Sequence, residues 1–157
     1  MKWAPSVRAL IFPITLVAAW LATASVSHSQ IASIARGGEP DAVNLQIKVI
    51  KASNDGSGVD NALDDLKDRF ANLKFDSYRL VESRKLTLGP SIVGTVGLPN
   101  NKVLQMRQVR VDHGRARMTV TVSDVLLKVS LANGGTVILG GLDANNGEIL
   151  VAISANF

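Results

Sequence analysis

Asp112 and His113 are neighbours in the chain, and a carboxylate beside an imidazole is a pairing that general acid–base catalysis uses. A small hydrolase built on Asp112 and His113 is therefore one reading of the sequence. Gly114 follows directly, and the same three residues also spell a tight hairpin. Asp and Gly suit such a turn, and His tolerates positive φ better than most residues. His28, the second histidine, lies near the start of the chain, so the body of the protein has no His–His metal site. Ser57 sits between Gly56 and Gly58, where a following helix N-terminus could hold an anion. The loop lacks the lysine of a P-loop, and no Gly-x-Ser-x-Gly elbow occurs. Asn54, Asp55 and Asp60 form one oxygen-rich loop, and Asp143, Asn145, Asn146 and Glu148 form another. The first lacks EF-hand spacing, the second could hold calcium in an exported protein, and both read as turns. Asp64 and Asp68 are four apart and read as solvated helix surface. No catalytic residue, metal ligand or cofactor is assigned.

The remaining chemistry is charge. Residues 79–117 carry eight cations, Arg79, Arg84, Lys85, Lys102, Arg107, Arg110, Arg115 and Arg117, against Glu82 and Asp112. The stretch reads as either a solvated outer sheet face or a patch for an anionic partner. Arg107, Arg110, Arg115 and Arg117 are its candidate binding residues. Phe70, Phe75, Tyr78 and Phe157 are the only aromatics beyond the first 24 residues. That is too few rings for a base-stacking surface, so nucleic acid is not an expected partner. The chain has no cysteine, which excludes disulfides, thiol catalysis and a lipid-modified N-terminal cysteine.

The first residues read as an export signal. Lys2 and Arg8 make a positive head, residues 9–22 are an uncharged apolar run, and Ala22-Thr23-Ala24 offers a small-residue cleavage site. The run is short of the roughly 20 residues that span a bilayer. Cleavage is expected after Ala24, or as late as residue 29, with no transmembrane helix left. Losing Lys2 and Arg8 lowers the net charge from +4 to +2. Residues 25–43 read as a flexible leader and 44–157 as a single domain.

Periodicity then sets the elements. Residues 44–53 alternate as a half-buried strand, with Leu45, Ile47 and Val49 on one face. Val59, Leu63, Leu66, Phe70 and Leu73 form the apolar stripe of a helix, capped by Ser57 or Asp60. From Ser77 the period becomes two. Tyr78, Leu80, Leu86 and Leu88 share a parity that Glu82 and Arg84 interrupt, which suggests a bulge or an edge crossing. Further strands are expected over 92–98, over 102–111 with Val103, Val109 and Val111 on one face, over 115–123, 125–131 and 136–139, and over 148–154. The fold class is α+β: a mainly antiparallel sheet or small sandwich of about eight strands with one amphipathic helix near the start of the domain.

Asn133-Gly134-Gly135-Thr136-Val137-Ile138-Leu139-Gly140-Gly141-Leu142 resembles the C-terminal segment of bacterial secretins, where a Gly-x-Thr strand runs into Gly-Gly-Leu. The resemblance implies an envelope protein and assigns no functional residue. Ile149, Val151, Ile153, Ala155 and Phe157 alternate and end on Phe, which resembles the closing strand of outer-membrane barrels. The expected function is an exported, non-catalytic binding or assembly module of the bacterial cell envelope. It would be periplasmic or extracellular, and its partner another envelope protein or an anionic surface. The alternatives are the Asp112/His113 hydrolase and a small outer-membrane barrel or secretion-channel component.

Overall fold

The computed structural model describes residues 42–157. The expected signal and nearly all of the expected leader fall outside them. Nine strands form two sheets among the described residues. The first holds β2 (Gly58–Val59), β3 (Ser77–Leu88), β1 (Val43–Ser53), β9 (Gly147–Asn156) and β8 (Thr136–Ala144), in that order. The second runs β4 (Gly94–Leu98), β5 (Lys102–Asp112), β6 (Arg115–Val122) and β7 (Val125–Ala132). All pairings are antiparallel except β2 with β3. Each sheet keeps two free edges instead of joining the single closed ring that the barrel resemblance implies. No helix among the described residues is long and apolar enough to cross a membrane.

The two sheets pack face to face. Leu45, Ile47 and Val49 of β1 and Ile149, Val151 and Ile153 of β9 meet Leu104, Met106, Val109, Met118 and Val120 of the second sheet. Each is buried, and burial of a side chain of this size contributes about 1.5–3 kcal/mol. The first sheet is covered on its other face as well. Ile50, Ala52, Leu150, Ala152 and Tyr78 pack there under Leu63, Leu66 and Phe70. The α+β expectation therefore holds, as a sandwich with a helical cover over one sheet.

The cover differs from the single helix expected over 59–73. It is a 3₁₀ helix, Asn61–Leu66, followed by one α-turn, α1 (Lys67–Phe70). Leu63 and Leu66 are three apart, and a 3₁₀ helix stacks such residues on one face. Asp60 is the cap, accepting from the Ala62 N–H at 3.1 Å. Val59 belongs to β2, and Leu73 lies beyond the helical turns at 39% exposure. Lys48, on the covered face of β1, extends into this layer. Its Nζ donates to the Ala62 carbonyl at 3.0 Å and to Asp65 Oδ1 at 2.6 Å.

Two bulges set the faces, the first at the break in β3 where the sequence suggests one, the second unannounced in β5. In β3 the register against β1 shifts so that Val49 opposes Glu82 and Ile50 opposes Leu80. Val81 is the extra residue, and the pleat reverses there. Tyr78 thus faces the helical cover while Leu86 and Leu88 face the sandwich. In β5 the shift lies between Arg107 and Arg110, with Gln108 at φ 53°. Leu104 and Met106 point inward before it, and Val109 and Val111 after it. Val103 is 42% exposed, contrary to its expected place beside Val109 and Val111.

Candidate functional site

The outer face of the second sheet gathers the candidate arginines. Inward residues of β6 are Ala116, Met118, Val120 and Val122, as their alternation predicts, so Arg115, Arg117, Thr119 and Thr121 face out. Register places their neighbours on the same face. Arg107 lies opposite Thr119 and Arg110 opposite Arg117 on β5; Lys128 lies opposite Thr119 and Ser130 opposite Arg117 on β7. Arg107, Arg110, Arg115, Arg117 and Lys128 are all exposed. The bulge is what makes this possible. Arg107 and Arg110 are three apart, and an unbroken strand would put them on opposite faces.

Three of the arginines are held. Arg107 Nη2 donates to Gln105 Oε1 at 2.9 Å. Arg115 reaches across to β7, where its Nε donates to Ser130 Oγ and its Nη2 to the Ser130 carbonyl, both at 2.9 Å. Arg117 Nη1 lies 3.0 Å from Asp112 Oδ2. The side chains of Arg110 and Lys128 make no hydrogen bond or ion pair among the described residues. Both flank a shallow cleft of about 470 Å³, with Arg117, Thr119, Ser130 and Gln108 on its walls. Thr119 Oγ1 donates to Gln108 Oε1 at 3.2 Å across it. Two free cations beside hydroxyl and amide groups can accept a carboxylate, phosphate or sulfate. Lys128 was missed by sequence reading because it stands alone in an apolar strand. Only its register beside Arg107 and Thr119 reveals its place.

Asp112 and His113 are in contact, with Nδ1 of His113 2.5 Å from Oδ1 of Asp112. His113 and Gly114 form the β5–β6 turn with φ of 52° and 67°, the two positive values of a type I′ hairpin. The imidazole is 86% exposed, and neither residue lines the cleft. Among the described residues no three His, Cys, Asp or Glu side chains converge on a possible metal position.

No protein family, curated protein or solved structure matches this chain.

Asn54, Asp55 and Asp60 of the first oxygen-rich loop and Glu148 of the second are tied into the structure. Asp60 also accepts from the Leu80 N–H at 3.3 Å, and Asn54 Oδ1 from the Asp76 N–H at 3.1 Å. The Ser53 hydroxyl donates to Asp55 and holds that carboxyl below its ordinary range. Glu148 accepts from the Gly141 N–H and lies 3.7 Å from the Lys74 ammonium. Asn54, Asp55 and Asn146 line one open hollow, so the two loops are near each other. Ser57 precedes a strand instead of a helix, so it lacks the helix N-terminus that the anion-binding reading required.

Proposed function

We propose that this protein is an exported, non-catalytic binding or assembly module of the bacterial cell envelope that holds an anionic partner on the outer face of its second sheet. The observation that carries the reading is the cation field on that face. Arg107, Arg110, Arg115, Arg117 and Lys128 share it, and Asp112 is the carboxylate that offsets them. Like charges placed directly across a ladder destabilise it, so an unneutralised cluster costs the free protein stability. An anionic partner offsets that cost on binding. The sequence supports export through the charged head, apolar run and small-residue site at residues 1–24.

Binding to polyglutamate tests the face. The unmodified protein is expected to bind it, and the affinity should fall as salt rises toward and beyond 150 mM, where the screening length is about 8 Å. Arg110→Ala with Arg117→Ala should weaken binding by tenfold or more. Salt-insensitive binding that ignores both substitutions would refute the proposal. Fractionation of the host with N-terminal sequencing tests export. A mature protein in the periplasm or medium, beginning near Ser25 or Gln30, is the expected result.

A further inference from the structure

The free edge of β7 points to the partner's form. The β6–β7 turn is Ser123–Asp124, and a two-residue turn makes Val122 and Val125 a hydrogen-bonded pair. Alternation along an antiparallel ladder then gives the next bonds to Leu127, Val129 and Leu131. The N–H and C=O groups of Leu126, Lys128, Ser130 and Ala132 consequently point away from β6, to the open side. Two of those carbonyls are occupied. Ser130 accepts from Arg115 and Ala132 from the Gly135 N–H at 2.8 Å. Leu126 and Lys128 have no such partner among the described residues.

The unoccupied stretch coincides with uncovered apolar side chains. Val125, Leu126 and Leu127 are 57%, 59% and 37% exposed, whereas Leu131 at the far end of the same strand is 7% exposed. Open backbone groups, exposed apolar side chains and the unpaired Lys128 thus fall on the same four residues. Such an edge is a template for another strand.

We propose that the Val125–Lys128 edge receives a β-strand from an acidic partner protein, an extended segment in which apolar and acidic residues alternate. This rests on the basic-face reading above. The apolar side chains of the added strand would cover Val125 and Leu127. Its acidic side chains would lie on the outer face beside Lys128 and within reach of the arginine field. Charge selects against a second copy of this chain. Antiparallel pairing of two β7 edges puts both outer faces on the same side of one sheet, so two sets of five cations become neighbours.

The test uses the full-length protein and a blocked hexapeptide of alternating Glu and Val. The peptide is expected to slow hydrogen exchange of the Leu126 and Lys128 amides tenfold or more. The same peptide N-methylated at alternate amides should fail, because it cannot complete the ladder, and its Gln/Val counterpart should bind at least tenfold more weakly. Leu126→Pro removes an N–H that β6 does not use, so it should abolish peptide binding while polyglutamate binding survives. If that variant does not fold, the N-methylated peptide supplies the same answer. Unprotected edge amides in a protein that still binds polyglutamate overturn the strand proposal and leave the basic face standing. Loss of both kinds of binding overturns both. Equal protection by the Gln/Val peptide overturns the acidic partner. Edge protection that grows with protein concentration alone overturns it in favour of self-association.

Discussion

Arg110 of β5 lies directly across the ladder from Arg117 of β6, and Asp112 Oδ2 lies 3.0 Å from Arg117 Nη1. One carboxylate thus balances one of two opposed guanidinium groups. Opposed like charges in a ladder are destabilising by a few tenths of a kcal/mol or more. Arg110→Thr is therefore expected to stabilise the fold by about 0.5 kcal/mol while weakening polyglutamate binding. Urea denaturation and a binding titration on the same preparation check it. A residue kept only as solvated surface would leave binding unchanged.

Backbone sterics give a second expectation. A Cβ on Gly147 would lie 2.1 Å from the Ala52 carbonyl oxygen, and backbone on a central strand cannot yield. A Cβ on Gly94 would meet Leu88 Cδ1 at 2.4 Å, which is the end of a side chain instead of backbone. Gly147→Ala should cost about 3 kcal/mol and Gly94→Ala clearly less. Thermal unfolding of the two variants ranks them.

The β6–β7 turn carries strain that sequence can relieve. Ser123 and Asp124 hold φ of 45° and 68°, and neither is the residue that a type I′ turn prefers. Replacing them with Asn and Gly (Ser123→Asn, Asp124→Gly) should stabilise the protein by about 1 kcal/mol. The midpoint of urea unfolding should rise with its slope unchanged.

Tyr78 sets an alkaline limit. Its ring stacks on Phe70 at a centroid distance of 4.3 Å, and its hydroxyl donates to the Phe70 carbonyl at 3.4 Å. Burial pushes the phenol above its ordinary value of 10.0. The unfolded chain then loses this proton first. Stability from this group is full below pH 10 and falls as pH rises through the unfolded value toward the folded one. Between pH 9 and pH 11 the native protein should lose more stability than Tyr78→Phe, measured by urea denaturation.

Much of the fold was legible because its determinants are local. The alternation of 115–122 specifies β6 and its faces without tertiary information, and Asp112-His113-Gly114 specifies the hairpin. The helical stripe identified Leu63, Leu66 and Phe70 as buried, but not the 3₁₀ geometry, which accompanies a distant contact between Lys48 and the Ala62 carbonyl. The β3 bulge is signalled by the break at Glu82 and Arg84, but not its effect of sending the two halves of the strand to different cores. Tyr78 and Leu86 have the same parity yet face different cores, because Val81 is inserted between them. In β5 no turn residue announces Gln108, so the alternation points Val103 inward, where the structure buries Leu104 and Met106 instead. The candidate site shows the same limit. Its four arginines were visible as a cluster in sequence, but their common face depends on the bulge, and Lys128 joins them only through strand pairing.

The position of β9 between β1 and β8 has a consequence for the order of synthesis. An inner strand of the first sheet, residues 147–156, is made more than ninety residues after β1. Until they emerge from the ribosome, β1 lacks one of its two neighbours, β8 has none, and Ile149, Val151 and Ile153 are missing from the core. Synthesis must therefore pass residue 156 before the first sheet and the core between the two sheets can close.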